Sequence, residues 1–177
     1  MVLGVRAVTS PTQPSRVAVL GSTLRVPLYA AHTAIEASLL ASNTQSSTNT
    51  TPAGEMRFAG DGLSAGARAI WLLPTTDEAK SQLSLGLDVR RYRTQCTLGN
   101  LGEAGCGAVG NNTQHALPLT LGYTLYRPGS YLLGLQWVRN LAWGSAGRDS
   151  DYDVNRAGAT SGYQLLRLNA QVLGQLS

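Results

Sequence analysis

Residues 80–93, KSQLSLGLDVRRYR, decide the fold. Leu83, Leu85, Leu87 and Val89 occupy one parity, and Gln82, Ser84, Gly86, Asp88 and Arg90 the other. Successive side chains of a strand point to opposite faces, so this is the signature of a strand with one apolar and one polar side. The same alternation recurs downstream. Leu117, Leu119, Leu121, Tyr123 and Leu125 alternate with Thr120, Gly122, Thr124 and Tyr126, and Leu166, Leu168, Ala170 and Val172 alternate with Arg167, Asn169 and Gln171.

Upstream, Leu24, Val26 and Leu28 alternate with Arg25 and Pro27. After a turn at 29–32, Ile35, Ala37, Leu39 and Ala41 alternate with Glu36, Ser38, Leu40 and Ser42. Residues 63–73 form a further strand ended by Pro74, and Tyr131, Leu133, Leu135 and Trp137 another. Residues 42–62, 94–114 and 144–159 carry no clear period and read as long loops, the first with a short strand at 55–59. The links at 29–32, 74–79 and 127–129 are short. In an up-and-down meander, alternate connections emerge at opposite ends, so all the long loops fall on one side. The expectation is an all-β, antiparallel up-and-down meander of about seven strands, part of a transmembrane β-barrel. Residues 1–21, where VLGVRAV and RVAVLG read as short strands separated by TSPTQPS, are set apart from the barrel segment 22–177.

Composition agrees. The 177 residues include one Phe, 20 glycines, 43% hydrophobic and 14% charged residues. That is lean material for a packed core but suits a wall one residue thick, with lipid on one side and water on the other. No run of about 18 apolar residues exists, which excludes a transmembrane helix. MVLGVRAVTSP lacks the apolar stretch and cleavage site of a signal peptide, so the chain reads either as cytosolic or as a piece of a longer exported protein. A net charge of +4, dispersed without aromatic partners, gives no footprint for nucleic acid.

Cys96 and Cys106 bracket a Gly- and Asn-rich stretch. Zinc needs two more ligands, and His32 and His115 lie far off, so the expectation is a disulfide, with free thiols as the alternative. A disulfide implies an oxidising compartment. Asp149, Asp151 and Asp153 form a D-x-D-x-D run, but the Gly and distal Glu of an EF-hand are missing, and a solvated loop is expected. The run 60–65, GDGLSA, matches a dinucleotide-binding glycine pattern only loosely, without the flanking strand and helix. No Ser/His/Asp constellation is visible; no enzymatic activity, cofactor or metal is expected.

LPLTLGYTLYRPGSYLLGLQWVRNLAWG (117–144) followed by YQLLRLNAQVLGQL (163–176) resembles the barrel strands of two-partner-secretion translocators, the ShlB/FhaC-like branch of the Omp85 superfamily. LRVPLYAAHTAIEASLLASNTQ (24–45) and SLGLDVRRYR (84–93) resemble the preceding strands of such barrels. The resemblance covers roughly residues 20–175. It implies a location in the bacterial outer membrane, a secreted polypeptide of haemolysin or adhesin type as cargo, and outer-membrane lipid and lipopolysaccharide as surroundings. The VRGY-like pore motif and the periplasmic POTRA domains of that family are absent from these residues. The chain is therefore expected to be a barrel segment, inactive alone. An Omp85-type assembly factor or a diffusion porin is the alternative among membrane proteins. A soluble, secreted β-rich binding or adhesion domain is the alternative from another class.

Parity assigns the faces. Glu36, Arg68, Asp88, Arg90, Arg167, Asn169 and Gln171 are expected on the lumen side, as a hydrated mixed-charge wall or simply the wet side of any barrel. Tyr29, Trp71, Tyr123 and Tyr131 lie near the short turns, where an interfacial girdle belongs. Arg91 and Arg93 continue the apolar parity of Val89, and Arg139 that of Trp137. These three are candidates for contact with lipopolysaccharide phosphates, unless a β-bulge near the rim turns Arg91 and Arg93 inward.

Overall fold

The computed structural model describes residues 1–10, 16–46, 48–52, 54–74 and 79–173. Ten strands form one antiparallel sheet: β1 (Val2–Thr9), β2 (Val17–Leu28), β3 (Thr33–Gln45), β4 (Asn49–Thr51), β5 (Gly54–Leu73), β6 (Lys80–Leu98), β7 (Asn112–Ala116), β8 (Pro118–Arg127), β9 (Tyr131–Asn140) and β10 (Gln164–Val172). The order is β1-β2-β3-β5-β6-β8-β9-β10, each strand beside its predecessor, with β4 paired to the start of β5 and β7 to β6. Strands β7 and β8 are one strand interrupted: Leu87 opposes Leu119 and Arg90 opposes Ala116 in the same register. The break falls where Pro118 has no N–H to give and the Leu117 N–H turns instead to the Asn140 side chain at 2.6 Å. Eight continuous strands thus stand where about seven were expected. Residues 1–21 do not lie apart from the sheet, since β1 and β2 pair from Val2 and Arg25 to Thr9 and Ala18.

Long and short connections sort to opposite ends. The turn at 127–130 closes with Ser130 N–H on the Arg127 carbonyl at 3.1 Å, with Pro128 fixing the entry and Gly129 at φ 70°, the arrangement of a type II turn. At the β2–β3 turn His32 adopts the left-handed conformation, φ 48°. The link at 74–79 lies largely outside the described residues, as does the TSPTQPS loop.

One expected loop is mostly strand, and a second is strand only at its ends. The segment 42–62 is occupied by the end of β3, by β4 and by the start of β5, whereas 94–114 is strand at 94–98 and 112–114 with short helical turns between Gly99 and Gly110. The ladder runs on there without a gap, from Ser81 opposite Leu73 to Leu98 opposite Met56. An apolar period survives there only briefly, with Met56, Phe58, Cys96 and Leu98 on the inner face, while 42–45 at the end of β3 are all polar; the backbone ladder continues past the point where the side-chain pattern reveals it.

Among the described residues no second layer covers the sheet. Leu63, Leu85, Leu87, Val89, Leu121, Leu133, Leu135, Leu166 and Leu168 are all exposed on one face. The strand positions buried most deeply lie on the other: Ala34, Ile70, Cys96, Ala116, Pro118, Thr120, Val138 and Asn140.

Candidate functional site: a charged wall and its mouth

Directly opposed residues of an antiparallel pair share a face, so the register settles parity across the whole sheet. Arg25 opposes Glu36, Glu36 opposes Arg68, and Arg68 opposes Gly86. Gly66 opposes Asp88, and Ser64 opposes Arg90. On β10, Arg167, Asn169 and Gln171 oppose Gln136, Gly134 and Leu132 of the same face. All seven lumen candidates therefore lie on one side. That side is concave, for one cleft in it is walled by Arg6 of β1 together with Asp88 and Arg90 of β6.

Arg25, Glu36 and Arg68 make a row of alternating charge across three strands, spaced about 4.8 Å apart. Arg90 Nη2 donates to Asp88 Oδ2 at 2.6 Å, while its Nε is buried without a hydrogen-bond partner among the described residues. Arg167 Nη1 donates to Gln136 Oε1 at 3.5 Å. Glycine makes room for these long side chains. A Cβ at Gly86 would stand 3.2 Å from Arg68 Nε, and one at Gly66 would run into the Asp88 carboxylate. Small residues facing large ones let the inner face curve without crowding. The resulting wall is wet, of mixed sign, and broken by polar groups on every strand.

At the long-loop end, two loops fold back onto this face. Cys96, opposite Phe58 and 2% exposed, is joined by a disulfide to Cys106, with Cα atoms 5.8 Å apart. Asn111 Oδ1 accepts the Cys96 N–H at 2.9 Å, and its Nδ2 donates to the Glu103 carbonyl at 3.0 Å. The loop after β9 is gathered by Asn140, 1% exposed. Its Nδ2 donates to the carbonyls of Ala146 and Ser161 at 3.2 and 2.7 Å and lies 3.3 Å from the Tyr152 hydroxyl, which donates to the His115 carbonyl at 2.7 Å. Burial beside Tyr163 pushes the Tyr152 hydroxyl up to about 12. Asn140 was missed from sequence, although its place, inward in parity just past Trp137 and Val138, was the available signal.

The D-x-D-x-D run closes the same loop. Asp149 Oδ1 accepts from Ser161 N and Oγ, both at 2.7 Å, and these bonds hold its carboxyl below the usual range. Asp153 Oδ1 accepts the Gly158 N–H at 2.6 Å, and the Asp151 carbonyl accepts from Asn112 Nδ2 at 2.9 Å. Among the described residues no three His, Cys, Asp or Glu side chains converge as a metal site. Residues 60–65 lie in the middle of β5, not in a loop leading to a helix.

Arg91, Arg93 and Arg139 sit on the opposite, apolar face. Leu63 opposes Arg91, Asp61 opposes Arg93, and Leu119 and Gln164 flank Arg139. The register runs unbroken along β6 through Arg91 and Arg93, so the bulge that would turn them inward is not formed. Trp71 and Tyr123 share a row through Leu83 toward the short-turn end of that face.

No protein-family model matches the sequence. No curated protein matches it either. Among solved structures, CdiB from Escherichia coli superimposes with a TM-score of 0.65 over 87% of this chain, at 15% identity. The chain spans 27% of the length of that structure. At this identity the likeness concerns architecture: the chain is an all-β, up-and-down antiparallel sheet matching part of the β-barrel of CdiB.

Proposed function

We propose that the chain forms part of the wall of an outer-membrane translocator barrel that conducts a large, unfolded partner polypeptide. The observation that carries this reading is the division of one sheet into an exposed apolar face and a concave, mixed-charge face, with the long loops gathered at one end. The likeness to CdiB, a two-partner-secretion transporter of the outer membrane, supports a barrel of translocator type. Strands β1 and β10 each leave one side unpaired among the described residues, and lipid does not tolerate such edges. Further strands of the same wall would cover them. The wall's alternating charges suit an extended chain that must slide without adhering, because no single sign and no long apolar strip holds it. The oxidising compartment implied by the Cys96–Cys106 disulfide agrees with this location.

A soluble adhesion domain is disfavoured because, among the described residues, the leucine face has no second sheet against it. The haemolysin or adhesin nature of the cargo rests on the sequence resemblance. The test is reconstitution of the full-length protein in planar bilayers and in liposomes. A translocator gives conductance that an added unfolded polypeptide interrupts. Sugar flux with no interruption by polypeptide marks a diffusion porin, and failure to enter the bilayer refutes the barrel.

A further inference from the structure

We infer that the apolar face carries a binding site for the phosphates of lipopolysaccharide, built by Arg91, Arg93 and Arg139 at the long-loop end. The inference rests on the outer-membrane reading above and adds to it a specific lipid partner. All three residues are exposed, and none of the three guanidinium groups has a hydrogen bond or ion pair among the described residues. Arg91 and Arg139 each directly follow the last apolar outward residue of their strand. Arg91 comes two residues after Val89, with Arg93 next on the same face, and Arg139 two after Trp137.

Position matters because a charge on a lipid-facing surface is tolerated at the edge of the apolar band and penalised within it. Arg91 stands in the row of Leu63, the last outward leucine of β5 before Asp61. These cations therefore mark the rim of the band, at the end that bears the long loops. Local countercharge is insufficient. Asp61 opposes Arg93 without forming an ion pair, and Glu55 further along the same face is already held by Arg57 at 3.1 Å. Arg91 faces Leu63 and His115, and Arg139 faces Leu119 and Gln164. Strand β9 is two strands from β6, about 10 Å away, so the cations span a width of several lipid chains rather than one point. Arginine suits the role, since its planar fork donates paired, charge-assisted hydrogen bonds to phosphate oxygens and it keeps its charge at any physiological pH. On this face and at this end, the phosphate-bearing surface within reach is the outer leaflet.

The test uses the full-length protein in proteoliposomes containing either lipid A or lipid A stripped of its phosphates, with lipid affinity and melting temperature as readouts. Near a charged membrane surface each cation contributes roughly a fivefold change in affinity. Arg91→Gln, Arg93→Gln and Arg139→Gln combined should therefore weaken lipid A binding about 100-fold and abolish the extra thermal stability it confers. Arg167→Gln, on the concave face, should leave both unchanged. Equal stabilisation by phosphorylated and stripped lipid A, or a triple variant that binds like the parent, overturns the site while leaving the barrel intact. Stabilisation by inorganic phosphate alone in detergent equal to that by lipid A refutes a lipid-specific role. A protein that does not insert into either liposome refutes the barrel and the site together.

Discussion

Placing an arginine at successive outward positions of β6 should trace the thickness of the bilayer. On β5 the outward apolar run extends from Leu63 to Leu73. Ten steps of about 3.3 Å make a contour near 33 Å, and a strand tilt of about 45° reduces its height to roughly 23 Å, close to the ~25 Å apolar band of outer-membrane barrels. Leu85 opposes Ala69, near the middle of that run, whereas Leu83 opposes Trp71 near its lower end and Val89 opposes Ala65 near its upper end. Leu85→Arg and Leu87→Arg should each cost about 2 to 4 kcal/mol, and Leu83→Arg and Val89→Arg about 0 to 1 kcal/mol. Gln82→Arg, on the concave face and half-exposed, should cost little. Thr120 is not a fair inward control despite its parity, because it is only 5% exposed and an arginine there would have no space. Urea titration of the full-length protein in lipid vesicles measures each value. A flat profile along β6, or equal costs for Leu85→Arg and Gln82→Arg, would refute the assignment of the faces.

Four further outcomes follow from the mouth and the topology. Replacing Cys96 and Cys106 by Ser should cost about 2 to 3 kcal/mol, confined to faster hydrogen exchange in 99–111 while β6 remains protected. Asn140→Ala strips partners from the Leu117 N–H and two loop carbonyls at a buried position, so a loss of about 2 to 4 kcal/mol and protease cleavage within 141–163 are expected. The Asp149 carboxyl is held below its ordinary range, so its contribution to loop closure is complete above that range and disappears as pH falls through the lowered value. The hydrogen-exchange protection factor near Ser161, corrected for the intrinsic rate, should fall on acidification in the parent and be low at every pH in Asp149→Asn. Cysteines at Thr48, Asn100 and Ser150 should all react with an impermeant reagent on intact cells, and one at Ala30 should not.

The amino-acid sequence by itself determined which strands exist where one face meets an apolar environment, and which side chains share a face. Leu83 to Val89 alternate because lipid or a core selects every second residue, and that selection is written directly in the chain. The shared parity of the seven polar residues Glu36, Arg68, Asp88, Arg90, Arg167, Asn169 and Gln171 within their strands could be read for the same reason, since parity is a local property of a strand. Within 42–62 and 94–114 only the strand at 55–59 was legible, where Met56 and Phe58 alternate with Glu55 and Arg57; the other strand ends there are too short and too polar to leave a period. Two other features belong to tertiary structure alone. Whether Arg91 and Arg93 face outward depends on an unbroken register with β5, which a single inserted residue anywhere in the pair would have reversed. The role of Asn140 depends on Leu117, Ala146, Tyr152 and Ser161 arriving at one buried point from four places in the chain. No spacing announces such a convergence, since only the folding back of the loop removes water from these groups and makes each hydrogen bond obligatory.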